Sequence, residues 1–185
     1  GKYAGSFGDV STFSFFGNKT ITTGEGGMVA SKKKSIIEKV NHLKNQAVSK
    51  NIEYWHDSLG YNYRMTNICS AIGYAQIQNA ERILKLKKYV AQLYRRELKN
   101  TNVIFQKENN KSYHSHWMVS ILFKSEKTKN RIREILKLNA IETRPLFYPN
   151  HTLPIYKEES SYPVASLLSE TGINLPSYPS LKEKD

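Results

Sequence analysis

The hydrophobic and polar positions divide the chain into two regions, and the first is built from alternating and helical patterns around glycine turns. β-Branched and aromatic residues predict strands over residues 9–16 and 26–31. Apolar residues at helical spacing predict a helix over residues 35–46. A polar, aromatic loop over residues 51–64 precedes a long helical stretch, in one or two pieces, from a cap at Thr66 or Asn67 to about Leu98. We expect the buried side of that stretch to begin with Ala71, Ile72, Ala75, Ile77 and Ala80.

The second region has an α+β pattern without glycine-rich loops. Strands are predicted over residues 103–107, 116–123 and 141–143, and helices over 128–138 and 162–171. Three prolines, Pro145, Pro149 and Pro154, favour extended or turn conformations between the last strand and the last helix. Residues 173–181 are expected to be extended. The change of pattern predicts two domains, residues 1–82 and 83–185.

The composition is that of a globular protein. The chain has 185 residues, of which 39% are hydrophobic and 11% aromatic. It has no apolar run of about eighteen residues, and its first residues do not resemble a signal peptide, so we expect a cytoplasmic location and no membrane span. The single cysteine, Cys69, excludes an internal disulfide framework and is expected to be a small buried residue on a helix.

The charge is strongly basic, since 28 Lys and Arg stand against 16 Asp and Glu to give a net charge of +12. Such an excess is found in nucleic-acid-binding proteins. Here the basic residues are dispersed at helical spacing and accompany no nucleic-acid motif, so we expect no nucleic-acid partner. An anionic small substrate, such as a nucleotide sugar, is compatible with the same charge.

Lys19 stands between aromatic residues and glycines in the stretch FSFFGNKTITTGEGG. A desolvated lysine can form an imine with a carbonyl, and flanking glycines let the backbone approach a flat ligand. Nearby hydroxyls are suited to phosphate oxygens: Ser11, Ser14, Thr20, Thr22 and Thr23. These features fit a pyridoxal phosphate site, but they also fit an ordinary lysine in a polar loop. A phosphate-binding loop of the GxxxxGK[ST] type is excluded, because the glycines follow the lysine.

His114 and His116 form a second candidate. Two residues apart, they would share one face of the predicted strand and could bind a metal. No third His, Asp or Glu is near in sequence, so a structural role on the strand face or at an interface is favoured, and no metal site is predicted.

Four ordered segments resemble the sugar aminotransferases of the DegT/DnrJ/EryC1/StrS family. The first is GDVSTFSFFGNKTITTGEGGMVAS, in which the resemblance assigns Lys19 as the lysine that forms a Schiff base with pyridoxal phosphate and Ser14 as a contact of the cofactor phosphate. The second is GYNYRMTNICSAIGYAQI, in which Asn62 corresponds to an asparagine that reaches the phosphate in the neighbouring subunit of a homodimer. Arg64 follows it as a candidate substrate residue.

The other two segments are TRPLFYPNHTLPIY and SETGINLPSYPSL. Within them the resemblance makes His151 a residue near the active-site mouth, and it makes Arg144 and Tyr148 candidate substrate contacts. The implied fold is α/β, the carboxy-terminal part of a fold type I aminotransferase. That part comprises the end of the large α/β domain and a smaller α+β domain.

Within the family, the segments HWMVSILF and TRPLFYPNH look most similar to the perosamine synthetase branch. The resemblance implies transfer of an amino group from glutamate to a nucleotide-linked 4-keto-6-deoxy sugar, in the biosynthesis of a surface polysaccharide such as an O-antigen or lipopolysaccharide. A related branch that dehydrates sugars has histidine at the lysine position. Lys19 therefore favours transamination.

The family's first half, with the aspartate that pairs with the cofactor's ring nitrogen, normally precedes the segment at which this chain begins. We therefore expect this chain to correspond to the carboxy-terminal half, to have little or no transaminase activity alone, and to be poorly stable or to self-associate. Efficient conversion of added cofactor by glutamate, or monomeric cooperative unfolding, would contradict these expectations. The alternative is a catalytically inactive remnant or dimerising fragment.

Overall fold

The computed structural model describes residues 1–183, which form two compact units that divide between Glu81 and Arg82. In the described part of the chain, no helix combines the length and the apolar character that crossing a membrane would require.

The first unit contains a two-stranded antiparallel sheet and two helices. Strand β1, Val10–Ser14, pairs with β2, Gly27–Ser31, so that Val10 lies opposite Ser31 and Ser14 opposite Gly27. Helix α1, Lys34–Lys44, follows β2 after a short turn, and helix α2, Asn67–Gln78, follows the aromatic loop. The Thr66 hydroxyl caps α2 by accepting a hydrogen bond from the Cys69 N–H, as a helix start at this position requires.

The burial expected for α2 is wrong. Ala71, Ile72, Ala75 and Ile77 are exposed, Cys69 and Ala80 are half-buried, and Gly73 is the buried residue of the helix. Ile68 is 76% exposed and Ile77 62% exposed, which leaves apolar side chains uncovered on this unit. A helical pattern identifies an apolar face, but burial also needs a partner surface of matching shape.

The second unit is an antiparallel sheet with three helices. Its helices are α3, Ala80–Glu97, which begins at the boundary, α4, Glu126–Leu138, and α5, Pro163–Thr171. Its strands, β3, Ile104–Phe105, β4, Val119–Leu122, β5, Arg144–Pro145, and β6, Gly172–Leu175, lie in the order β3-β4-β6-β5. The core of the sheet contains Ile121, Phe123 and the fully buried Ile173.

Two local predictions for the second unit need correction. Strand β4 begins at Val119 rather than at His116, because the backbone of His116 has a φ of 51° and leaves the extended region. The strand predicted over residues 141–143 lies instead at Arg144–Pro145, at the sheet edge, where a proline without an N–H is tolerated. The proline-rich segment after it contains two short 3₁₀ turns, Asn150–Thr152 and Pro154–Tyr156, in keeping with the extended or turn conformation predicted there.

Candidate active site

The loop that carries Lys19 is closed by backbone hydrogen bonds just beyond the end of β1. The Phe15 N–H donates to the Gly26 carbonyl at 2.9 Å, and the Thr23 N–H donates to the Phe15 carbonyl at 2.9 Å. Within the loop, the Lys19 N–H donates to the Phe16 carbonyl at 2.9 Å. These bonds hold Lys19 in a defined turn, where it is half-buried.

The hydroxyls around Lys19 divide into two kinds. Thr22 donates to the Phe15 carbonyl at 3.0 Å and Thr23 donates to the Glu25 carbonyl at 2.7 Å, so these two hydroxyls, expected to serve a phosphate, stabilise the loop instead. The Ser14 Oγ accepts a hydrogen bond from the Phe16 N–H at 3.4 Å. A hydroxyl that accepts one hydrogen bond still has its own proton, so the Ser14 hydroxyl can donate a hydrogen bond to a phosphate oxygen.

Close packing joins the lysine loop to α2. A Cβ at Gly73 would lie 2.7 Å from the Thr23 Cγ2, and a Cβ at Gly26 would lie 2.8 Å from both the Thr23 Oγ1 and the Met65 Cε. Gly26 also has a φ of 144°, which side chains rarely adopt. The glycines therefore let α2 and the turn before β2 enclose Thr23. A half-buried lysine in a fixed loop, with the Ser14 hydroxyl on the adjoining strand end, fits the donor set of a pyridoxal phosphate site.

Asn62 and Arg64 lie on a short extended segment beside the end of α1. The Tyr61 N–H donates to the Leu43 carbonyl at 2.7 Å, and Asn62 forms an antiparallel bridge with Asn45. The rings of Tyr61 and Tyr63 stack with centroids 5.0 Å apart, and successive side chains of an extended segment alternate in direction. Asn62 and Arg64 are accordingly both exposed and share the opposite face, where they are accessible to another polypeptide.

The remaining candidates lie in the second unit, in one segment that begins with β5. The Arg144 side chain is 60% exposed and lies 3.5 Å from the Glu142 carboxylate. Tyr148 is 69% exposed, whereas His151 is half-buried and its ring packs on that of Tyr162 with centroids 4.7 Å apart. A hydrogen bond to Glu158 raises the pKa of Tyr162. The first unit contains the other four candidates, Lys19, Ser14, Asn62 and Arg64.

Lys87 is a polar residue of α3 that the sequence reasoning missed. It is only 6% exposed, and its Nζ donates to the Trp117 carbonyl at 2.7 Å and to the Ser177 carbonyl at 2.5 Å. Burial lowers its pKa to about 8. Spacing could have revealed it, because Lys87 precedes the buried Val90 and Ala91 by three and four residues and so shares their helix face. Lys87 ties α3 to the LPSYP segment.

Replacing Lys87 by methionine should change how stability depends on pH. The unfolded chain, with an ordinary lysine pKa of about 10.5, binds more protons than the folded chain between about pH 8 and 10.5. The free energy of unfolding of the wild-type chain should therefore rise with pH across this window relative to Lys87→Met. We expect a rise on the order of 1 kcal/mol, because nearby solvent screens part of the burial effect.

Urea denaturation at pH 7.5, 9 and 10.5 measures this difference. Lys88→Met is the matched control, since Lys88 is the exposed neighbour on the same helix. Its free energy of unfolding should change with pH in parallel with that of the wild type. The prediction would be contradicted if the free energy of unfolding of Lys87→Met also changed with pH in parallel with that of the wild type.

The described part of the chain shows no metal site. Among residues 1–183, no group of three His, Cys, Asp or Glu side chains is placed to hold a metal ion. His114 and His116 precede β4 rather than lying on it, and their rings contact each other with centroids 4.5 Å apart.

Comparison with known proteins identifies the family. The family description for DegT/DnrJ/EryC1/StrS aminotransferases matches residues 1–185, the whole chain. The chain belongs to this family. The match confirms the family expected from the Lys19, Asn62 and proline-rich segments.

Two similar relatives of this DegT/DnrJ/EryC1/StrS protein are enzymes named GDP-perosamine synthase. The Escherichia coli O157:H7 enzyme is 49% identical over 185 residues, covering 100% of this chain and 50% of the relative. The Vibrio cholerae enzyme is 50% identical over 186 residues, covering 98% and 51%. The chain thus spans about half the length of the curated relatives that it matches.

A solved structure with the same fold is that of the aminotransferase TlmJ from Streptoalloteichus hindustanus. It has a TM-score of 0.93 at 20% identity, covering 100% of this chain and 51% of the other. This likeness confirms the predicted fold class, the carboxy-terminal part of a fold type I aminotransferase.

Proposed function

We propose that this chain is the lysine-bearing half of a pyridoxal phosphate-dependent aminotransferase. In this proposal the enzyme moves an amino group from glutamate to C4 of a GDP-linked 4-keto-6-deoxy sugar, and it serves the cytoplasmic steps of surface-polysaccharide biosynthesis. The observation that carries the proposal is the half-buried Lys19 in its closed loop, within a chain 49% identical along its whole length to a GDP-perosamine synthase.

The residues of the first unit support this chemistry. Pyridoxal phosphate, when bound, supplies a carbonyl that condenses with amines and an electron sink for the carbon that carries the transferred nitrogen. Lys19 would hold the cofactor through its Nζ and, once released, would move the proton at the glutamate Cα and at the sugar C4. The Ser14 hydroxyl would donate to the phosphate.

The enzyme would act as a homodimer with its active sites at the subunit interface. In this arrangement the exposed Asn62 of one subunit contacts the cofactor phosphate bound by the other. The exposed apolar side chains of α2 support contact between the first unit and another polypeptide, since exposed apolar patches mark interaction sites. His151, Arg144, Tyr148 and Arg64 are the proposed substrate contacts, with the basic side chains suited to phosphate or carboxylate groups.

A chimera tests the proposal. The amino-terminal half of the Vibrio cholerae GDP-perosamine synthase would be joined to this chain, which is 50% identical to that enzyme where the two align. We expect the chimera, but not the chain alone, to release 2-oxoglutarate from glutamate when a GDP-linked 4-keto-6-deoxyhexose is added. The Vibrio enzyme is the positive control.

A folded chimera that releases no 2-oxoglutarate would contradict the proposal and favour the alternative, an inactive remnant or dimerising fragment. Far-ultraviolet circular dichroism and resistance to proteolysis would establish that the chimera is folded. A UDP-linked keto sugar in a parallel assay would test the nucleotide assignment separately from the amino transfer.

A further inference from the structure

The segment that joins β3 to β4, residues 106–118, is closed by a pair of histidines. The Nδ1 of His114 accepts a hydrogen bond from the His116 N–H at 2.8 Å, and its Nε2 lies 3.2 Å from the Oε1 of Gln106. Because Nδ1 accepts, the imidazole hydrogen must be on Nε2, from which it donates to Gln106. Both ring nitrogens of His114 therefore have a hydrogen-bond partner within segment 106–118.

The hydrogen bond from His116 stabilises an unusual turn. The φ of His116 is 51°, in the left-handed region that residues with a Cβ seldom occupy. His116 is only 6% exposed, and its ring lies 4.5 Å, centroid to centroid, from the ring of His114. Loss of the acceptor on His114 would therefore leave a strained backbone without its hydrogen bond.

Burial and nearby positive charges disfavour an added proton on His116. Helix α3 places Arg95 and Lys88 near them, and the segment itself contributes Glu108, whose carboxylate already pairs with Arg95 at 3.2 Å. The residues contributed from the β4 side are uncharged: Met118, Val119 and Ser120. Burial lowers the pKa of His116, and the positive charges of Arg95 and Lys88 lower it further against the opposing effect of Glu108.

We propose that His114 and His116 form an acid-sensitive latch. A proton that binds Nδ1 of His114 removes the acceptor of the His116 N–H, and segment 106–118 opens away from α3. The open segment would have ordinary histidines with a pKa of about 6.5, so below this pH it binds more protons than the closed one. The closed state is thus favoured above about pH 6.5 and is lost as the pH falls.

Hydrogen exchange measured by mass spectrometry on the 185-residue chain tests the latch. Exchange rates at a series of pH values from 7.5 to 5.5 would be corrected for the intrinsic effect of pH on amide exchange. Protection of peptides from residues 106–118 should fall about tenfold for each pH unit below about 6.5 for each proton bound. Protection of β4 should remain unchanged.

His114→Asn isolates the titrating group. The asparagine side-chain oxygen can accept the same N–H two residues ahead but gains no proton in this range, so the acid-induced fall should disappear. His42→Asn, on α1 of the first unit, is the matched control and should keep the fall.

Three results would overturn the latch. One is unchanged protection of residues 106–118 in the wild type down to pH 5.5. Another is an equal fall in His114→Asn and the wild type. The third, which needs no variant, is an equal fall in the protection of β4, since it would show general unfolding rather than opening of residues 106–118.

Discussion

Replacing Lys19 by arginine in the chimera should slow the release of 2-oxoglutarate from glutamate by at least about a thousandfold. Arginine keeps the positive charge and much of the length of the side chain. Its guanidinium does not lose a proton in proteins, so it can neither attack a carbonyl nor take the proton from the glutamate Cα. The loss would therefore separate the chemistry of Lys19 from its charge.

Lys32→Arg is the matched control for this prediction, because Lys32 is an exposed lysine in the turn between β2 and α1. It should leave the rate within about twofold, as expected for a surface substitution. Borohydride reduction in the presence of pyridoxal phosphate, followed by peptide mapping, gives an independent measurement, and the label should be on Lys19. Label shared equally among the exposed lysines, or a Lys19→Arg rate close to that of the unsubstituted chimera, would contradict the assignment.

Mixing an inactive Lys19 variant of the chimera with a weakened Asn62 variant should restore activity if Asn62 acts across the dimer. Asn62→Ala alone should lower the rate by roughly tenfold to a hundredfold, because it removes a hydrogen bond to a charged phosphate. A mixed dimer of Lys19→Ala and Asn62→Ala subunits contains one site with an intact Lys19 and an intact Asn62. Random reassociation of equal amounts should then restore about one quarter of the activity.

The control for this mixing experiment combines both substitutions in one chain and mixes it with Lys19→Ala. Every Lys19 is then absent, so no activity should return. Recovery limited to the activity of Asn62→Ala alone would show that Asn62 acts within its own subunit. The rate measured after dissociation and reassociation of the unsubstituted chimera sets the reference.

The helices and most strands could be predicted because their signals are local. Thr66 caps α2 as expected, α4 begins two residues before its predicted start with Ser125 as its cap, and β1 and β2 fall within their predicted ranges. Capping and the spacing of apolar residues act within a few positions of the chain, so one sequence is sufficient to recognise them.

The errors occurred where the residue pattern does not determine which groups a side chain contacts. The hydroxyls of Thr22 and Thr23, interpreted as phosphate ligands, instead bond carbonyls of their own loop. The apolar side of α2 was expected to be buried, yet Ile77 is exposed, because periodicity does not show which surface will cover a face.

The sequence by itself determined the family, the order of the elements and the identity of Lys19 as the candidate nucleophile, since ordered motifs and residue types are written along the chain. Tertiary structure alone decided which polar side chains are buried and which distant groups they hydrogen-bond. Lys87 is buried because carbonyls from residues 117 and 177 converge on its amine, thirty and ninety residues away. The Nδ1 of His114 accepts the N–H of His116, whose backbone is left-handed. Such burial and hydrogen bonding depend on which residues the folded chain brings together, and patterns of neighbouring residues do not reveal this.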